Sequence, residues 1–270
     1  MIDPAPRPDL GPIALTAARA GTAAIRSVID TGQLGTQFKS GGHDMVTAAD
    51  KASERAVIDA IRAARPDDSI IGEEGGVHHG TSGVRWLVDP LDGTANFVYG
   101  RADYAVSVGA ELAGEPFVGA IIRPADGQWI MAGGSGVRAG REPRTGHGRP
   151  DSPVPAVRKC SLDDALVAFG LPYSLSARRQ ALTVIAALVP RLRGVRVIGS
   201  AASDLAAVAL GQCDAFVGFG LADWDTAAGQ AIVIAAGGAV RQADRQSNTK
   251  TLIAGSTAVV DGLVALMNDP

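Results

Sequence analysis

A layered α/β fold is what this 270-residue chain predicts. Two segments in the first half have helical periodicity, apolar strands with turn residues between them follow, and the second half alternates strand with helix. IALTAARAGTAAIRSVID (13–30) sets Ile13, Ala17, Ala20, Ala24 and Val28 near helical spacing, and DKASERAVIDAIRAARPDD (50–68) is a second helix stopped by Pro66. The turn-rich GEEGGVHHGTSG (72–83) leads into the strand VRWLV (84–88). YAVSVGAEL (104–112) and PFVGAII (116–122) predict a hairpin around Ala113-Gly114-Glu115. AGGSGVRAGREPRTGHGRPDSPVPA (132–156) reads as irregular, and as the junction between halves 1–145 and 146–270 of one compact unit. Beyond it come strand ALVAFG (165–170), helix SARRQALTVIAALVPRL (176–192) ending near Pro190, and strand VRVIG (195–199). Helix SAASDLAAVALG (200–211) closed by Gly211, strand DAFVGF (214–219) and helix WDTAAGQAIVIAAGG (224–238) closed by Gly237-Gly238 complete the alternation.

Composition narrows the class. Hydrophobic residues make up 46% and charged residues 20%, the balance of an ordinary globular protein. A net charge of -3 gives no overall electrostatic footprint for nucleic acid or an anionic membrane. No apolar run approaches the ~18 residues that span a bilayer. The opening MIDPAPRPDLGPIAL lacks a basic stretch followed by an apolar core, so a cytoplasmic protein is expected. Cys160 and Cys213 lack metal-site spacing and are expected to be reduced thiols.

The chemistry concentrates in WLVDPLDGTANF (86–97), where Asp89 and Asp92 follow an apolar strand and precede Gly93-Thr94. Pro90 favours a turn that folds the carboxylates toward a shared point, and Gly93 permits a positive φ or close backbone approach. The plain alternative is a turn whose aspartates cap backbone amides. Glu73-Glu74, Asp225 and Asp50 each have a plain reading too: a solvated loop, a helix N-cap, and a Thr47-x-x-Asp50 capping box. If Glu73, Asp89, Asp92 and Asp225 converge, each like-charge pair at ~4 Å costs about 4 kcal/mol at an effective dielectric near 20. Bound cations or protonation would then be required. All-oxygen donors without Cys or His favour Mg²⁺ or Mn²⁺ over Zn²⁺, and such ions beside backbone N–H groups make a phosphate site with water as nucleophile.

GEE (72–74), WLVDPLDGTANF (86–97) and WDTAAG (224–229), in this order, resemble the inositol monophosphatase family of Mg²⁺-dependent, lithium-sensitive phosphatases. Lys39 with DMVTAAD (44–50), and VIGSAASDLAAVALGQCDAF (197–216), extend the resemblance over nearly the whole chain, with the texture of actinobacterial, mycobacterial-type members. The resemblance implies an αβαβα sandwich, commonly a homodimer. Carried over by position, Glu73, Asp89 and the Leu91 carbonyl would hold one metal. Asp89, Asp92 and Asp225 would hold a second, and Glu73 would help place a third. Thr94, oriented by Asp50, would help activate water, with Glu74 close by. The Gly93 and Thr94 amides would take the phosphate, while Ser200, Ala201 and Asp225 would line the substrate side. In the family, a lysine at the position of Lys39 lies in a mobile loop near the metals.

One departure concerns the alcohol. Inositol-specific relatives carry a glutamate seven residues before the last metal aspartate, where this chain has Gly218. Losing a charged hydrogen bond there would cost about 1.5–3 kcal/mol. Inositol 1-phosphate leads as substrate, with histidinol phosphate, fructose 1,6-bisphosphate and 3′-phosphoadenosine 5′-phosphate as alternatives. A haloacid-dehalogenase-type phosphatase would need D-x-D spacing rather than the D-x-x-D present. A non-catalytic regulatory binding protein would be expected to have lost a carboxylate. His78, His79, Trp224 and the arginines at 138, 141, 144 and 149 read as solvated or packing residues.

Overall fold

The computed structural model describes residues 9–32, 34–38, 45–142, 149–244 and 250–268. Helix α1 (Gly11–Thr31) is followed by the short antiparallel pair β1 (Gln37–Phe38) and β2 (Met45–Val46), then by α2 (Ala48–Ala64). The two helices pack on small residues: a Cβ on Gly21 would lie 2.7 Å from both Ser53 Oγ and Val57 Cγ2. Next come β3 (Ser69–Gly72), β4 (Val77–His78), β5 (Val84–Asp92), the single-turn α3 (Thr94–Val98), β6 (Ala105–Leu112), β7 (Glu115–Ile122), β8 (Gln128–Gly133), β9 (Gly136–Arg141) and β10 (Arg149–Pro153). Among the described residues these strands form one sheet in the order β10-β9-β8-β7-β6-β5-β3-β4, parallel only between β3 and β5.

The second half supplies β11 (Leu166–Gly170), α4 (Leu175–Leu188), β12 (Gly194–Arg196), α5 (Ala201–Ala209), β13 (Ala215–Phe219), α6 (Asp223–Ala235), β14 (Ala239–Asp244), β15 (Lys250–Gly255) and α7 (Thr257–Asn268). Its sheet runs β12-β11-β13-β15-β14, with β12, β11 and β13 mutually parallel. Apolar faces then dictate five layers. Ala14, Ala18 and Val57 of α1 and α2 cover Val88, Val106 and Val108 on one side of the large sheet. Leu205, Ala228 and Ile232 of α5 and α6 fill the space between Ile121 and Ile130 of that sheet and Phe216 and Ala254 of the other. Val184, Leu188, Val259 and Leu263 of α4 and α7 close the far face over Val167 and Val217. This is the αβαβα sandwich.

Several elements depart from the sequence reading. The 132–156 stretch is a hairpin, β9–β10, extending the large sheet. Two of its arginines are not free loop charges, since Arg138 pairs with Asp151 at 2.8 Å and Arg141 lies 3.8 Å from Asp126, while Arg144 lies outside the described residues. The β6–β7 turn is a two-residue one with Ala113 and Gly114 both at positive φ, 53° and 82°, so Leu112 pairs with Glu115. Strand β12 stops at Arg196, which frees 197–199 to leave the sheet.

Close helix–sheet contact depends on a glycine pair. Gly109 and Gly119 face each other across β6 and β7, and a Cβ on Gly119 would lie 2.2 Å from the Ala228 carbonyl oxygen of α6. Gly119→Ala should therefore push α6 off the sheet, lowering stability by about 1–3 kcal/mol in urea unfolding. Unchanged stability would show that α6 shifts freely.

Candidate active site

Strand β5 is buried against α2 and α6, which is why its sequence is apolar almost throughout. Its far end is bulged. Asp89 pairs with Ser107 and Asp92 with Ala105, so three steps along β5 match two along β6. In a regular strand, residues three apart point to opposite faces. The extra residue puts both aspartates on one face, the face toward α5 and α6. Pro90 sits in this bulge, where a missing N–H breaks no ladder bond. The displaced backbone groups find side-chain partners. Ser53 donates to the Pro90 carbonyl at 2.7 Å, the Leu91 N–H to Asp89 Oδ1 at 3.1 Å, and Thr94 lies 3.0 Å from the Leu91 carbonyl.

Glu73 and Glu74 follow β3, the parallel neighbour of β5, and the Glu73 N–H donates to the Val88 carbonyl at 3.1 Å. The loop is pinned by Glu54 of α2, whose Oε2 accepts the Glu74 N–H at 2.8 Å and Oε1 the Gly76 N–H at 3.0 Å. Sequence reasoning missed Glu54, which looks like any charge on an amphipathic helix. Asp225 occupies the third position of α6 rather than its N-cap, and its Oδ2 accepts the Ala222 N–H at 2.8 Å.

These acids share one field. Asp89, only 2% exposed, is held well above the usual carboxylate range by burial first, then by the charges of Glu73, Asp92 and Asp225. Its side chain also hydrogen-bonds Glu73. Burial pushes Asp92 up to about 6, Glu73 adds to this, and hydrogen bonds from Ser200 and from the Ala202 and Ala201 amides oppose it. Among the described residues no three acid, imidazole or thiol groups already stand as a formed metal cage. The donor set nonetheless suits a hard divalent ion: a buried carboxylate and three half-buried ones in its field, with oxygen alone among them.

Around the acids stands a hydrogen-bonded frame. Asp50 Oδ2 accepts the Thr47 hydroxyl and amide at 2.6 and 2.7 Å, so the capping box forms. Its Oδ1 meanwhile lies 2.9 Å from the Thr94 hydroxyl. Capping and site roles coexist on the two oxygens, and burial raises the Asp50 pKa. Gly93 has φ 89°, and a Cβ there would meet the Asp103 carbonyl oxygen at 2.9 Å and Ser200 Cβ at 3.2 Å. Ser200 caps α5 and donates to Asp92 Oδ2 at 2.7 Å, while the Ala202 amide reaches the same oxygen at 2.6 Å. Asn96, also missed, donates from Nδ2 to the Asp103 and Ile198 carbonyls, each at 2.7 Å, tying the turn after β5 to the segment after β12.

Glu73, Asp89, Asp92 and Asp225 thus converge, with Asp50, Leu91, Gly93, Thr94, Ser200 and Ala201 around them. Lys39 lies outside the described residues. His78 joins β4 and its Nε2 contacts the Pro66 carbonyl at 3.2 Å.

The model of the Inositol monophosphatase family matches residues 9–267. The chain belongs to the inositol monophosphatase family. As an inositol-1-monophosphatase-like phosphatase it is 36% identical to the inositol-1-monophosphatase of Mycobacterium leprae over 85% of this chain and 80% of that one. It is 35% identical to the Nus factor SuhB of Salmonella typhimurium over 95% of both. The crystal structure of the extragenic suppressor protein SuhB from Bartonella henselae superposes with a TM-score of 0.81 at 30% identity, covering 96% of this chain and 98% of that one. The family fold and the mycobacterial texture expected from the sequence are both borne out.

Burial has a second consequence at Asp204 on α5, whose pKa is pushed up to about 8 by desolvation and then by Asp92 and Asp103. Its folded value exceeds the ordinary 3.8, so the native state keeps a proton that the unfolded chain releases. The resulting stability is complete below pH 3.8 and is lost as pH rises toward 8. Asp204→Asn should flatten this decline in urea unfolding, by up to about 1.4 kcal/mol per pH unit. An unaltered slope would mean that Asp204 is ionised in the native state. The raised Asp89 and Asp92 make a separate prediction. Mg²⁺ uptake should release protons and tighten from pH 5 to 7, seen as a buffer-dependent heat in calorimetry.

Proposed function

We propose that this chain is a Mg²⁺-dependent phosphomonoesterase acting on a small polyol phosphate, inositol 1-phosphate first, and releasing the alcohol and inorganic phosphate. The β5 bulge carries the reading, because it turns a D-x-x-D spacing into two carboxylates on one face beside Glu73 and Asp225. Glu73, Asp89, the Leu91 carbonyl, Asp92 and Asp225 would hold two or three Mg²⁺ ions, with Mn²⁺ as a substitute. When bound, the ions would neutralise charge developing on phosphate oxygens and lower the pKa of the attacking water.

The protein's own groups supply the rest. The Thr94 hydroxyl has one proton and donates it to Asp50 Oδ1, leaving its oxygen free to accept from a water. Burial raises the proton affinity of Asp50, which suits it to draw proton density through Thr94, and Glu74, whose backbone N–H is held by Glu54, would assist. The Gly93 and Thr94 amides would receive phosphate oxygens, and Gly93 alone tolerates the backbone geometry required. Ser200 and the Ala201 and Ala202 amides hold Asp92 in place, with Ser200 and Ala201 facing the substrate side. The reading is completed by a cytoplasmic homodimer whose partner is a phosphorylated metabolite, not nucleic acid or membrane. No described helix is long and apolar enough to cross a bilayer.

One observation favours another alcohol. A Cβ on Gly218 would lie 2.4 Å from Leu221 Cδ1 and 2.8 Å from Phe216 Cε1, so apolar side chains fill the space a glutamate would use. This supports histidinol phosphate, fructose 1,6-bisphosphate or 3′-phosphoadenosine 5′-phosphate as the second reading. The relative named as a Nus factor makes a non-catalytic role the third.

Phosphate release from these four esters, with and without Mg²⁺, separates the readings. Asp89→Asn and Asp92→Asn should each lower Mg²⁺-dependent turnover by at least about 10²-fold. Thr94→Ala should lower kcat by about 10²–10⁴-fold with little change in KM. Millimolar lithium should inhibit, as in the family. Turnover that survives Asp89→Asn would refute the assigned chemistry, and no turnover on any ester would favour the binding role.

A further inference from the structure

Ser107 lies on β6 directly across the ladder from Asp89. It is fully buried, at 0% exposure, and its hydroxyl oxygen has no hydrogen-bond partner among the described residues. Directly opposed residues of an antiparallel pair project to the same face with Cβ atoms about 4.5–5.5 Å apart. The hydroxyl therefore shares the face of the acid cluster. Its neighbours on that face of β6 offer it nothing polar: Ala105 stands opposite Asp92, and Gly109 abuts Ala227 and Ala228 of α6. A buried hydroxyl without a partner is a liability in the protein alone, one that alanine would remove at almost no change in volume. A polar atom at this place is useful only to something that the acid cluster acquires.

We infer that Ser107 is a positioning residue for Asp89: in the cation-loaded site, though not in the metal-free protein, its Oγ–H donates to the Asp89 carboxylate and so fixes that side chain's orientation toward a divalent cation. This rests on the metal reading proposed above. Asp89 has capacity for it: Oδ1 takes the Leu91 N–H at 3.1 Å, and an ionised carboxylate accepts several further hydrogen bonds. Carboxylates that ligate metals are themselves held by hydrogen bonds, and removing such a partner weakens metal affinity by roughly 10–100-fold.

The test uses the full chain and Mn²⁺ alone, with free ion counted by electron paramagnetic resonance, alongside urea unfolding without added metal. Ser107→Ala should bind Mn²⁺ about 10–100-fold more weakly while its metal-free unfolding midpoint stays the same or rises. Ser107→Cys, a weak donor of similar size, should fall between. Wild-type Mn²⁺ affinity in Ser107→Ala would overturn the inference. So would a lowered metal-free midpoint, which would mark an ordinary structural hydroxyl. Asp89→Asn separates the two levels. If it loses Mn²⁺ while Ser107→Ala does not, only the role of Ser107 fails. If wild-type protein takes up no Mn²⁺, or Asp89→Asn binds it as well as wild type, the metal reading fails with it.

Discussion

Repulsion among carboxylates gathered round a buried aspartate is the constraint around which this molecule is arranged. Asp89 is enclosed at the bulged end of β5 with three other acids in its field. Such a cluster is unfavourable for folding alone, so the surrounding structure has to impose it. Imposition starts with one surplus residue in β5, which overrides the alternation of the strand and turns Asp92 to the side of Asp89. A bulge is tolerable inside a sheet only if its orphaned backbone groups are satisfied. Ser53 donates to the Pro90 carbonyl from α2, and the Leu91 N–H is taken by Asp89 Oδ1. The helical layer on one face thus stabilises the irregularity that the chemistry on the other face exploits.

The remaining acids are fixed by the same logic of secondary partners. Glu54 clamps the loop bearing Glu73 and Glu74 through two backbone amides, and a side chain at Gly72 would collide with it, at 2.2 Å from Oε2. Asp225 is oriented by its own helix terminus. Asn96 and Ser200 join the two halves, the first between two backbone carbonyls and the second onto Asp92. Each is a short polar contact at the edge of a large apolar interface, which provides the adhesion while the polar contacts provide the alignment.

Much of this was legible in the sequence. Helical periodicity placed α1, α2 and α4–α6, because each buries one stripe against a sheet. The hairpin at 113–115 announced itself through Gly114. The acids were visible as a set because motifs that are unremarkable singly recur in a family order. What stayed hidden depends on contacts between distant residues. The strand appeared to end at Val88 because Pro90 favours a turn locally, whereas Ser53, far upstream, holds it in a bulge. Glu54 and Ser107 carry no local mark of importance, and Asn96, although inside WLVDPLDGTANF, meets its distant partner Ile198 only in the fold. The 132–156 stretch looked irregular because an edge hairpin needs few apolar residues, and β14, β15 and α7 went unread.

The order of the acids along the chain has its own consequence. Glu73, Asp89 and Asp92 lie close together in sequence, but Asp225 comes only with α6, late in the polypeptide. The bulge gathers the first three within the large sheet, and the set of four is complete only with α6 in place. A chain ending before α6 would lack both the fourth acid and the helix that packs on Gly109 and Gly119 of the large sheet.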